Sequence, residues 1–139
     1  MIRPCHARLG LFFASIVALA AGLSAGADPV PVDYLAIEWK LVAIDGKPFA
    51  AVGTIDLSEP GRITGQGPCN RFFGSYDGTL PDFRPGPIGA TRMACPDLGA
   101  ESAMFAALSV MTRAEVTGPV TLVLTGAKGG AMEFVRPMN

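Results

Sequence analysis

Histidine is all but missing from this 139-residue chain: the single one, His6, lies in the first ten residues, and none follows it. Without an imidazole beyond that point, the serines and cysteines of the remaining chain have no ordinary base to activate them, which excludes Ser-His-Asp and Cys-His mechanisms. Cysteine is equally sparse, with three in all and no Cys-x-x-Cys, so a structural zinc site would lack ligands. No Asp/Asn-rich calcium loop is present. Gly65-Gln66-Gly67 is not followed by the Lys-Ser/Thr of a phosphate loop, so neither metal nor cofactor is expected. There is no basic run either, which argues against nucleic acid as a partner. Asp56, Asp77, Asp82 and Glu101 follow no spacing that points to paired-carboxylate catalysis, and a non-enzymatic protein is expected.

The one long apolar run stands at the N-terminus. Arg3 and Arg8 precede Leu9 to Leu23, and Ala25-Gly26-Ala27 supplies the small-x-small pattern of a cleavage site. Residues 1–27 therefore read as a signal peptide. The run is short of the ~20 residues that span a bilayer, so no membrane span is expected after cleavage, although an uncleaved anchor is the competing reading. No cysteine follows the small residues, which closes lipid acylation. The expected location is the periplasm or the exterior. Cleavage removes His6, Cys5 and two of eleven basic residues, leaving nine against twelve acidic ones and a net charge of −3.

Two cysteines remain, Cys69 and Cys95. In an oxidising compartment they could bridge; buried free thiols are the alternative. A bridge would stabilise the fold by roughly 3–4 kcal/mol in the chain-entropy model.

Along the chain, residues 28–34 form a proline-punctuated, extended lead-in, and residues 35–139 one domain. Ile37 to Ile44 alternates as a strand and stops at Asp45-Gly46. Gly53 to Ser58 and Arg62 to Gln66 read as a hairpin about Glu59-Pro60-Gly61. Gly65, Gly67 and Gly74 bracket the Cys69 segment and predict sharp bending or close backbone approach. A proline-rich loop runs from Asp77 to Pro87, and Ile88 to Ala94 resumes a short strand. Pro96 to Thr112 is the one helix, with Asp97 as N-cap, Glu101 as a first-turn negative charge, and Met104, Phe105, Leu108, Met111 and Thr112 on its buried face. Ala114 to Thr117, Val120 to Thr125 and Ala131 to Arg136 close the chain as strands. The predicted fold is mainly β: a strongly curved, barrel-like antiparallel sheet of six to eight strands covered by one helix.

Arg71 and Arg92 each lie within three residues of a cysteine. A bridge would bring them into one neighbourhood, where two guanidinium forks could hold an anion or a partner; internal pairing with Asp77 or Asp97 is the alternative. Asn70 either joins that contact or bonds the local backbone at a bend.

Trp39-Lys40-Leu41, Ile44-Asp45-Gly46-Lys47-Pro48, Ile63-Thr64-Gly65, Cys69-Asn70-Arg71-Phe72, Gly74-Ser75-Tyr76 and Thr91-Arg92-Met93-Ala94-Cys95 together resemble the META domain family. The resemblance covers roughly residues 35–136. It implies a small, mainly β, barrel-like exported domain with a helix, associated in bacteria with heat stress and antibiotic tolerance, and it brings no catalytic residues. Pro68 stands where a small residue is expected and implies a slightly different bend. The function so implied is an envelope stress-associated interaction or structural module, monomeric, contacting an envelope protein or a small ligand. The alternatives are a small-molecule or lipid carrier using the concave side of the sheet, and an inhibitor of an extracytoplasmic hydrolase acting through the Asp77–Pro87 loop.

Overall fold

Asp45-Gly46 sets the first corner. Both residues have positive φ, 52° and 73°, the conformation that a two-residue hairpin turn demands and that Asp-Gly supplies at low cost. The turn folds β1 (Glu38–Ile44) onto the short β2 (Lys47–Pro48), pairing Ile44 with Lys47. The Asp45 carboxylate also accepts the N–H of Ala131 at 2.8 Å, fastening this corner to the last strand. The computed structural model describes residues 35–138; the expected signal peptide and lead-in lie outside them.

The other strands are β3 (Thr54–Asp56), β4 (Arg62–Gln66), β5 (Arg71–Asp77), β6 (Arg84–Pro85), β7 (Gly89–Ala90), β8 (Met111–Thr117), β9 (Thr121–Gly126) and β10 (Ala131–Val135). All pair antiparallel in the order β6-β5-β4-β3-β1-β10-β9-β8, with β2 beside β1 and β7 beside β5. The expected six to eight strands thus become eight on the main path plus two off it. β2, β6 and β7 are two residues each, too short to leave an alternating pattern in sequence. The sheet is curved rather than closed into a barrel. Its two ends meet where Phe83 N–H donates to Thr112 O and Ala114 N–H to Pro81 O, at 3.0 and 2.9 Å.

One helix, α1 (Leu98–Ser109), packs on the sheet. It is shorter than expected at both ends. Asp97 holds the N-cap position without a side-chain hydrogen bond, and Val110 ends the helix, so Met111 and Thr112 belong to β8. Met111 is buried as expected, but from a strand. A bulge between Met111 and Arg113 lets Met111 and Ala114 both face inward despite their odd spacing.

Inward residues of successive strands fill the concave side. Trp39, Leu41, Ile55, Ile63, Phe83, Leu124, Met132 and Phe134 have no exposed surface, and Met104 and Leu108 cap them from α1. The Trp39 indole N–H has no acceptor among the described residues.

Candidate functional site

Two neighbouring features gather the residues singled out in the sequence: a buried polar hub behind the β4–β5 hairpin, and a groove on the sheet's outer face in front of it. The hub begins at the four-residue loop Gly67-Pro68-Cys69-Asn70, closed by the pairing of Gln66 with Arg71 and by Gly67 N–H donating to Asn70 O at 2.7 Å. Cys69 is disulfide-bonded to Cys95, with Cα atoms 5.7 Å apart, so the bridged alternative holds and the free thiols do not. The bridge ties the loop to the segment that leads into α1.

Behind the loop lies Glu101, buried at 5% exposure. Its Oε2 accepts the N–H groups of Cys69 and Asn70 at 2.9 and 2.7 Å, and its Oε1 accepts Asn70 Nδ2–H at 2.7 Å. Asn70 Oδ1 in turn accepts Met93 N–H and the Thr91 hydroxyl at 2.6 and 3.0 Å. Burial pushes the Glu101 carboxyl up, but the bond from the Asn70 amide and those from the two backbone N–H groups outweigh it, and the group titrates below its ordinary range. A buried carboxylate without such donors would be prohibitive. The Asn70 side chain therefore does not bond the local backbone at the bend: its partners are the Glu101 carboxylate, the Thr91 hydroxyl and both backbone groups of Met93, all distant in sequence, and it joins three chain segments.

In the sequence Glu101 reads as a first-turn charge and as one of four carboxylates without catalytic spacing, and neither reading gives it this buried role. The signal was available: stepping back from Met104, Phe105 and Leu108 by the same period lands on Glu101, so a carboxylate occupies the first position of the buried stripe. Gly67 fits the hub for the same reason, since a Cβ there would meet Glu101 Oε2 at 2.8 Å.

Arg71 and Arg92 fare differently. Both side chains are exposed, and neither forms an ion pair among the described residues, with Asp77, Asp97 or any other acid. The backbone bond from Thr91 N–H to Arg71 O, 3.0 Å, places Thr91 rather than Arg92 opposite Arg71. Arg71 alone lines the groove.

That groove, of about 750 Å³, opens on the outer face of β1, β3, β4 and β5. It lies where the β3–β4 ladder is thin: Asp56 and Thr64 are the one paired position, and Gln66 N–H turns to the Thr54 hydroxyl at 3.0 Å. Register aligns Glu38, Asp56, Thr64 and Phe73 in one row across the four strands, with Thr54, Gln66 and Arg71 in the next. Phe73 is 58% exposed and Val52, also in the lining, 60%. Gly65, on the opposite face, lets the strands close up: a Cβ there would overlap Thr54 O and come within 2.6 Å of the Phe72 ring.

Residues 33–139 match the model of the META domain over its whole described sheet and helix. The chain belongs to the META domain family. Among solved structures, this META domain is similar to a protein from Burkholderia xenovorans determined by NMR, at 24% identity and a TM-score of 0.59, with 98% of this chain and 99% of that one covered. It is also similar to a DUF4847 family protein from Bacteroides vulgatus, at 14% identity and a TM-score of 0.56, covering 76% and 96%. At these identities the likeness is one of fold. No curated protein matches this chain in sequence. Neither the family nor these neighbours indicates an enzymatic activity. Among the described residues no group of three or more His, Cys, Asp or Glu side chains is placed to hold a metal ion, and no helix is long and apolar enough to cross a membrane.

Proposed function

We propose that this META domain is an exported, non-catalytic interaction module of the cell envelope, serving under stress, and that it meets its protein partner at the groove on the outer face of β1, β3, β4 and β5. The observation that carries this reading is the pairing of a filled interior with an open exterior. Trp39, Ile55, Ile63 and Phe134 occupy the concave side that a carrier would need to keep empty, whereas Phe73 and Val52 present apolar surface beside unpaired Arg71 on the outside. Phenylalanine and arginine are both enriched in protein–protein interfaces relative to the rest of the surface. The inhibitor alternative is disfavoured by its own loop. Leu80 and Phe83 are buried, and Arg84–Pro85 pairs with β5, so the proline-rich segment is fastened down rather than presented.

The test is capture from envelope extract, with and without heat stress, using tagged protein expressed from the full sequence and its Phe73→Ala and Arg71→Ala variants. A protein retained by the wild type and lost with either variant is expected, and N-terminal sequencing of the exported form should begin at Asp28. Enrichment of a lipid or small molecule with no protein would overturn the reading.

A further inference from the structure

The groove contains an electrostatic conflict. Glu38 and Asp56 are directly opposite each other on neighbouring antiparallel strands, and side chains so placed have Cβ atoms about 4.5–5.5 Å apart. Like charges in that position repel and destabilise the pairing. Neither carboxylate forms an ion pair among the described residues. Lys40 stands two residues from Glu38 on the same strand, Arg136 shares a cleft with Glu38, Arg71 lines the groove itself, and Arg62 shares a cleft with Asp56 but is engaged by Glu59 at 2.8 Å; none of them pairs with either carboxylate among the described residues. The carboxylates keep partial hydrogen bonding, Glu38 from the Thr54 hydroxyl at 2.6 Å and Asp56 from Ser58 N–H at 2.8 Å, and each retains acceptor capacity.

The same row ends at Phe73. Adjacent strands are about 4.8 Å apart, so the backbone of Phe73 lies about 10 Å from that of Asp56 and about 14 Å from that of Glu38, counting two and three strand steps. An extended chain rises about 3.3 Å per residue and returns to the same side every second residue, so side chains at i and i+4, about 13 Å apart, span the interval. Between these ends the Thr64 hydroxyl forms no hydrogen bond among the described residues, and neither does the guanidinium of Arg71, whose donors suit a peptide carbonyl or a carboxylate.

We infer that the groove takes an extended peptide carrying Lys or Arg at one position and an aromatic or large apolar residue four further on, the cation seated between Glu38 and Asp56 and the apolar side chain on Phe73. The inference rests on the groove being the partner surface and adds the partner's chemistry. A cation between the two carboxylates converts their repulsion into two attractions, which is a reason for the pair to stand there. Two carboxylates alone form too small an oxygen set for a bare metal ion.

The probe is acetyl-Gly-Lys-Ser-Gly-Ser-Phe-Gly-amide, titrated into isotope-labelled protein and followed by backbone amide shifts, with the Lys→Glu peptide as control. Shifts centred on Glu38, Asp56, Thr64 and Phe73 are expected, with affinity at least about tenfold lower for the control peptide and for the Glu38→Gln/Asp56→Asn double variant. That variant should melt no lower than wild type, which separates lost recognition from lost folding. Equal binding of both peptides in the groove overturns the charge inference and leaves the partner surface standing. Shifts mapping elsewhere, or none while Phe73→Ala still abolishes partner capture, overturn the inference by itself. Loss of neither capture nor peptide binding on Phe73→Ala overturns both.

Discussion

Replacing Glu101 should unfasten the domain more than any surface change. Three donors converge on its carboxylate: Cys69 N–H, Asn70 N–H and Asn70 Nδ2–H. Each buried donor left without an acceptor costs about 1–3 kcal/mol, and Glu101→Ala strands both backbone N–H groups, leaves Asn70 Nδ2 only its 3.2 Å bond to Met93 O, and opens a void beneath the loop. A loss of about 3–6 kcal/mol is expected, against a total of about 5–15 kcal/mol for a domain, with a fall in Tm on the order of 15 °C or more. Glu101→Gln is the sharper experiment because it keeps the shape. Its amide can present oxygen to the two backbone donors only by turning an NH2 toward Asn70 Nδ2, whose own oxygen is held by Thr91 and Met93. That donor-to-donor contact should cost about 1–3 kcal/mol. Urea titration at neutral pH measures both variants, and Glu101→Gln within ~0.5 kcal/mol of wild type would refute the reasoning. The pH dependence has a fixed sign. Because the folded carboxyl titrates below its ordinary value of 4.5, its contribution is complete above that value and disappears as pH falls through the lower folded one. The wild type should therefore lose its advantage over Glu101→Gln only in acid below about pH 4.5.

Further outcomes follow from other parts of the molecule. Cys69→Ala/Cys95→Ala, or reduction of the wild type, should lower stability by roughly 3–4 kcal/mol for the loop closed over a separation of 26 residues, read by urea titration. Gly65→Ala should cost about 1–3 kcal/mol or more, because its Cβ would press both on the Thr54 backbone oxygen and on the buried Phe72 ring, and a normal melting curve would contradict the close approach of β3 and β4. Trp39, the one tryptophan of the chain and fully buried with its N–H unpaired among the described residues, should emit at short wavelength and shift to the red in a single step on unfolding.

The corners and the alternating strands were legible because local chemistry decides them. Asp45-Gly46 forces a two-residue turn, and Trp39 with Leu41 or Met132 with Phe134 declares an inner face. The helix was overextended for an equally local reason: Met111 and Thr112 continue its apolar period, and only the pairing of β8 with β9 and the bulge between Met111 and Arg113 recruit them into a strand. That choice is tertiary and leaves no mark within ten residues. Asn70 and Arg71 were found through their place beside Cys69, but the face each takes was not. Glu38 and Asp56 illustrate the harder limit. Eighteen positions apart and unremarkable singly, they become opposite one another only through the register of β1 with β3, which no periodicity encodes.

The contact that joins the two ends of the sheet has a bearing on how the protein resists aggregation. An exposed sheet margin offers unpaired N–H and C=O groups to any other extended chain, and is a common starting point for aggregation. Here Pro81 and Phe83 spend their backbone groups on Thr112 and Ala114, and the other outermost strand, β6, is two residues long and contains Pro85, which has no N–H to offer. The molecule thus occupies one of its own adhesive margins with the other, and a stress that unfolds neighbouring proteins would find little here on which to template.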